Sequence, residues 1–285
     1  MKSFPVLNEI KSYEDVARSV TDAREVLESF GVRVSNSSIL HKIFQDTIKV
    51  AGAWEENRDK VNIKMAMSLL HADIICSAVI NLKDDPQLKV PLLRIAKSDM
   101  NLSGRASSQG KDVLWELMLL NSMRKASVTG FLLDPPDIVA DLEFGKYSIA
   151  CKKVYSDNNV GNQLRVGVRQ VVESGNKGIV AFSLDELTPG DSILSLASAS
   201  ASMRRLSNFN DEFISRHRLD FQGYVKAKKI DGILVSTTVP ADITTDARRL
   251  NNITQYTFWT LTGKTKGYSR LEGFVERLSV RPTAS

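Results

Sequence analysis

The chain has 285 residues, 42% of them hydrophobic and 25% charged, with 38 Lys+Arg against 33 Asp+Glu and a net charge of +5. That apolar fraction excludes wholesale disorder, and the length suits one large domain or two. Apolar runs such as Ile74–Ile80 fall far short of the ~20 residues that span a membrane, and Met1–Glu9 lacks the apolar stretch of a secretion signal.

The first hundred residues read as helical. Val16, Val20, Ala23, Val26, Leu27 and Phe30 recur at helical spacing, and Gly31 stands where a helix stop is expected. Ser38–Trp54 and Val61–Leu82 keep the same period until Pro86 and Pro91 interrupt it. The polar, small-residue stretch Ser98–Gly110 marks a boundary between an all-helical N-terminal domain, residues 1–100, and a second domain, residues 101–285. There Lys111–Ala126 is an apolar helix. Ile138–Phe144 and Tyr147–Val154 are strands joined by a tight turn at Gly145-Lys146. Val160–Glu173 is a helix with Leu164, Val168, Val171 and Val172 on one face, and Gly178–Ser183 and Ile230–Val239 are strands of the kind covered on both faces. This order predicts an α/β fold with a mixed sheet flanked by helices.

Cys76 and Cys151 are too few and too far apart for a disulfide framework or a cysteine zinc site, so a soluble cytoplasmic protein without a membrane partner is the expectation. His41, His71 and His217 show no metal-ligand spacing, and Tyr256, Phe258 and Trp259 read as core before base-stacking residues. The charge is uneven. Residues 1–100 carry 14 Lys+Arg and 14 Asp+Glu, residues 101–200 carry 10 and 11, and residues 201–285 carry 14 and 8. The basic surplus therefore lies in the last 85 residues, either as solvated faces or as a phosphate-facing surface.

Three features of the second domain carry chemistry. Glu116 is the only charge between Val113 and Met123 and shares their apolar helical stripe, so it is paired, metal-bound or protonated. In the hairpin, a turn at Gly145-Lys146 sets Asp141 opposite Ala150. It puts Asp137, Asp141, Glu143, Ala150 and Lys152 on one face and Ile138, Ala140, Leu142, Ile149 and Cys151 on the other. Carboxylates with a lysine are the equipment for holding a divalent ion and activating water, or simply a mixed exposed face. In the following helix Gln163 and Gln170 share one face, and Arg165 and Arg169 another, suited to phosphate contact or to solvent.

Glu116 in an apolar helix, Pro136-Asp137 opening a strand, Lys152 in IACKK, Gln170 in the next helix and the strand GIVAFS resemble, in that order, the PD-(D/E)xK nuclease superfamily, over about Lys111–Leu187. The resemblance implies a restriction endonuclease-like core and a phosphodiester hydrolase dependent on Mg²⁺ or Mn²⁺. Glu116 would help to bind the metal or its water, and Lys152 would orient the attacking water and stabilise negative charge. Gln170 would sit beside the site. The metal-binding aspartate would be Asp141, by the hairpin register, or Asp137, by the PD dipeptide. Lys153, Arg165 and Arg169 are candidate nucleic-acid contacts. Where the family has an acid, this chain has Ala150. Either Glu143 supplies the carboxylate from the neighbouring strand, or the fold is kept for binding or assembly without chemistry. The expected partner is nucleic acid, DNA before RNA. A homodimer and a protein partner for the N-terminal helices are further expectations.

Overall fold

The computed structural model describes residues 1–6, 12–56, 63–190, 192–196, 199–243, 250–263 and 265–279. In chain order they form β1 (Lys2–Val6), α1 (Tyr13–Ser29), α2 (Ile39–Glu56), α3 (Ile63–Asn81), α4 (Lys89–Lys97), α5 (Gln109–Lys125), β2 (Gly130–Leu132), β3 (Ile138–Leu142) and β4 (Gly145–Lys153). Then come α6 (Val160–Glu173), β5 (Lys177–Ser183), β6 (Leu194–Leu196), α7 (Ala199–Arg216), α8 (Arg218–Lys226), β7 (Gly232–Ile243), β8 (Leu250–Trp259) and α9 (Lys266–Ser279). The strands make one mixed sheet in the order β1-β8-β7-β5-β4-β3-β2, with β6 beside β7. The central strands β4, β5 and β7 are parallel, and the outer pairs β1·β8, β7·β8, β3·β4 and β2·β3 are antiparallel.

Both faces of the centre are covered, which is why its strands read as continuous apolar runs. On one face Ala150, Val180, Phe182, Ile233 and Val235 pack under Leu164, Val168 and Val171 of α6, Phe213 of α7 and Phe221 of α8. On the other, Ile149, Cys151, Ile179, Ala181 and Leu234 meet Trp115 and Leu120 of α5. The two crossovers, β4-α6-β5 and β5-α7-α8-β7, therefore lie on one side. Two close approaches fix the layers. A Cβ on Gly178 would stand 1.9 Å from the Ser148 carbonyl oxygen, and one on Gly167 of α6 would stand 2.9 Å from Val180. Helix sits on sheet, and strand on strand, only with glycine at those two places.

The expectation of an all-helical first hundred residues is corrected at the start. Lys2–Val6 is an edge strand, pairing Lys2 with Phe258 and Val6 with Thr254. Five residues are too short for a period to show. Helix α1 begins at a capping box, in which Asp15 N–H donates to the Ser12 hydroxyl and the Asp15 carboxylate accepts from Ser12 N–H, and Gly31 follows at φ +71°. Pro91 does not end the helical region, because it stands in the first turn of α4, where its missing N–H costs no helical bond. Side chains of α1 to α4 share one apolar cluster with α5, β4 and β8, and Asn252 of β8 donates to the Leu70 carbonyl of α3 at 2.9 Å. The expected boundary near residue 100 is thus crossed by a continuous core. Three further strands had no strong sequence signal: β2 and β6 have three residues each, and in β8 polar Asn, Thr and Gln are buried with the aromatics.

Those buried polar groups find partners across the layers. Asn210 of α7, fully buried, donates to the Gln255 carbonyl at 3.1 Å and to Thr257 Oγ1 at 3.2 Å, and accepts from Thr237 Oγ1 at 2.6 Å. Removing one side of such a network leaves buried donors and acceptors unpaired. Asn210→Ala is expected to cost about 3 kcal/mol in urea unfolding, and a loss under about 1 kcal/mol would mean that the network does not hold α7 to the sheet.

Candidate functional site

At the carboxyl end of β4 the β3–β4 ladder stops. Its last backbone-paired rung is Ile138 with Ile149. Beyond it the Cys151 N–H donates to Asp137 Oδ2 at 2.5 Å, so a side chain takes over where the strand partner ends. The Lys152 ammonium lies 3.3 Å from the same oxygen and donates to the Cys151 carbonyl at 2.7 Å. Glu116 approaches from α5. Its carboxyl is pushed up to about 8, first by burial and then by the Asp137 charge, with Lys152 and Arg94 opposing. Burial likewise raises the Asp137 carboxyl against the pull of Lys152 and the Cys151 amide, and raises the Cys151 thiol. Three of the expected site residues, Glu116, Asp137 and Lys152, therefore converge.

The other hairpin acids do not join them. The turn is Glu143-Phe144, not Gly145-Lys146, so Leu142 faces Gly145 and Asp141 faces Lys146. The register differs from the expected one by four residues, an even number, so every side chain keeps its face while its partner changes. Asp141 is exposed and pairs with Lys146 at 2.7 Å. Glu143 is 82% exposed in the turn and pairs with Arg277 of α9. The Asp141 and Glu143 assignments are corrected accordingly: both lie at the opposite end of β4 from Lys152. Ala150 is fully buried, and a Cβ on Gly167 of α6 would lie 3.5 Å from its Cβ. An acid at position 150 would have to enter the contact between sheet and helix.

Two further assignments are corrected. Helix α6 runs back along β4, and Gln163, not Gln170, lies at the Lys152 end, donating to the Lys153 carbonyl at 2.7 Å. Gln170 is two turns farther on, about 10 Å along the helix axis. Lys153 is no surface contact for nucleic acid. It is buried on the α5 side, 3.3 Å from Asp185, 3.7 Å from Glu186 and 3.4 Å from the Ser183 hydroxyl. Arg165 and Arg169 are exposed as expected, the first bonded to Asn162 at 2.7 Å and the second 3.9 Å from Glu173.

A second polar cluster escaped the sequence. Lys111 lies 3.4 Å from Glu186, with both side chains nearly inaccessible, and donates to the Ala106 carbonyl at 3.0 Å and to that of Gly104. Asp185 accepts from the Thr238 N–H at 2.8 Å. Together with Lys153 these groups line a cleft walled by Trp115 and His71. Burial raises the Glu186 carboxyl, with Lys153 and Lys111 opposing. The one available signal was Asp185-Glu186 at the carboxyl end of a buried strand, the end where parallel sheets carry their sites.

Among the described residues, no three His, Cys, Asp or Glu side chains form a group that could hold a metal. Glu116 and Asp137 still suit a magnesium-type ion, which commonly takes one or two carboxylates and completes its shell with phosphate and water. Glu116, a buried acid raised further by the Asp137 charge, is a group that such a cation, or a proton, would satisfy. No family model, curated protein or solved structure matches this chain. None of the helices among the described residues is long and apolar enough to cross a membrane.

The buried cluster gives a direct test of its contribution to the fold. Lys153→Met would leave Asp185 and Glu186 buried with one cation fewer, and a loss of about 3 kcal/mol is expected in urea unfolding. The double variant Lys153→Met/Glu186→Gln should recover part of it. Glu186→Gln alone completes the cycle, and a double-variant loss equal to the sum of the two single losses would show that the two residues are not coupled.

Proposed function

We propose that this chain is a nucleic-acid-binding protein on a restriction endonuclease-like core, and that Glu116, Asp137 and Lys152 direct phosphodiester hydrolysis, with DNA the expected substrate. The observation that carries the proposal is their convergence where the β3–β4 ladder opens. Two directions of the Lys152 ammonium are taken by Asp137 and the Cys151 carbonyl, and the third is left for a phosphate oxygen or the attacking water. Asp137 is held in place by the Cys151 amide, and its charge acts on buried Glu116, so the aspartate is set before any ligand arrives. A divalent ion held by Glu116 and Asp137 would stabilise charge on the phosphate as a Lewis acid. Lys152 adds a fixed positive charge at the same phosphate, in a site shielded enough for it to act strongly. Exposed Arg165 and Arg169 on α6 would contact the backbone.

One observation favours a second reading, binding without cleavage. The position at which the superfamily carries its other acid is Ala150, sealed beneath α6, and Glu143, at the turn with Arg277, does not replace it.

Cleavage of DNA with Mg²⁺ or Mn²⁺ should fall about 100-fold or more in Lys152→Ala and in Asp137→Asn. It should stay unchanged in Asp141→Asn and Glu143→Gln, whose side chains lie at the turn. Equal activity in all four variants removes the site assignment. Salt-sensitive binding with no cleavage under either metal establishes the second reading. No binding even at low salt overturns both.

A further inference from the structure

At the amino-terminal ends of β5 and β7 the molecule carries a feature of opposite character. Lys177 opens β5, Lys226 ends α8, Lys228 follows it and Lys266 opens α9, and all four line one groove of about 670 Å³. Thr260, Thr262, Val225 and Ile230 complete its walls. Among the described residues, the one carboxylate lining it, Asp231, is already neutralised. Arg270 donates to its two oxygens at 2.8 and 2.6 Å, a bidentate pair that leaves no charge to spare for the lysines.

The four lysines are exposed, and none pairs with a carboxylate among the described residues. The contrast with the other end of the sheet is direct, since Lys111, Lys152 and Lys153 each have a carboxylate within 4 Å there. Four like charges around one concavity repel each other, and the arrangement is relieved by an anion that several of them can share. Lys228 adds a separate observation. It closes α8 at φ +57°, with its N–H on the Val225 carbonyl and the Lys229 N–H on that of Tyr224, a place where glycine is the ordinary residue. A lysine stands there against the backbone preference, and it lines the groove.

We propose that this groove is a binding site for a phosphate-bearing anion of at least two negative charges, separate from the Glu116–Asp137–Lys152 cluster. Its volume is that of sites for small ligands of nucleotide size. Lysine ammoniums and threonine hydroxyls are donors for phosphate oxygens. The site does not depend on the nuclease reading. Lys177 pairs with Tyr147 and Phe182 with Lys152, so the groove and the cluster stand five residues apart along β4, about 16 Å. A free phosphorylated compound and the backbone of a nucleic-acid strand share this chemistry, and two probes separate them.

The test uses the full chain at about 50 mM salt. Pyrophosphate binding is measured by calorimetry, and binding of a short labelled single-stranded oligonucleotide by fluorescence anisotropy. The variants are Lys177→Ala/Lys226→Ala/Lys228→Ala/Lys266→Ala and, separately, Lys83→Ala/Lys89→Ala, two exposed lysines outside the groove. All four groove positions are exposed, so the quadruple variant should keep the parent's thermal midpoint, which is recorded alongside. Binding should weaken at least about tenfold in the quadruple variant and hold the parent's pyrophosphate affinity in Lys83→Ala/Lys89→Ala. Loss for pyrophosphate alone supports the site with a small phosphorylated ligand as its occupant. Loss that includes the oligonucleotide supports it with a nucleic-acid strand as the source. The proposal is overturned if the quadruple variant binds both probes as tightly as the parent, or if the parent binds neither.

Discussion

The Cys151 amide, bonded at 2.5 Å by the Asp137 carboxylate, is the interaction on which the candidate site depends. A strand that loses its neighbour must find another acceptor for its N–H groups or leave them unpaired in a buried place. Here the acceptor is a side chain from the residue immediately before β3. One hydrogen bond therefore ends the ladder, locates the aspartate beside Lys152 and turns a carboxylate inward against Glu116. Any change that closed the ladder fully would take the aspartate away from the lysine.

Around this point the sheet sorts charge by its two faces and two ends. Lys152 and Lys153 are successive residues, so they project to opposite sides of β4. One meets Asp137 and the other meets Asp185 and Glu186. The cost of holding four charged groups near the α5 side of the core is offset by mutual pairing, with Lys111 further satisfied by backbone carbonyls. At the amino-terminal end of the same strands, Lys177, Lys226, Lys228 and Lys266 have no such compensation among the described residues. Compensated charge belongs to the interior and can be structural. Uncompensated charge gathered in a concavity invites a counter-ion from outside.

Burial also explains what position 150 can hold. It lies midway along a strand covered on both faces, at the place where α6 comes close enough to require Gly167. Packing at that contact favours a methyl group. The side chain at the corresponding place in the resembled motif is an acid, and the polar duties near Lys152 fall instead on Asp137 and Glu116. The neighbouring Cys151, facing α5, and Cys76 are both buried free thiols.

Much of the architecture was legible in local sequence. Helix α6 matches its expected limits, β5 lies within one residue of them, and α5 and β7 differ only at their ends, because long apolar periods and runs buried on both faces are strong local signals. Which face each hairpin residue occupies was also legible, since alternation does not depend on register. The register itself was not: Gly145-Lys146 looked like the turn, but Glu143-Phe144 makes it, and Gly145 at φ +110° opens β4. That two-residue choice moved Asp141 and Glu143 out of the site and left Asp137 in it. The sequence by itself determined the α/β class, the inward stripe bearing Glu116 and the candidacy of Lys152. Only the tertiary structure decided that β1 completes the sheet from the opposite end of the chain, that Gln163 lies nearer the site than Gln170, and that Lys153 is buried with Lys111, Asp185 and Glu186. The physical reason is that periodicity is a property of neighbours along the chain, whereas pairing, burial of charge and the meeting of strand ends depend on residues tens to hundreds of positions apart.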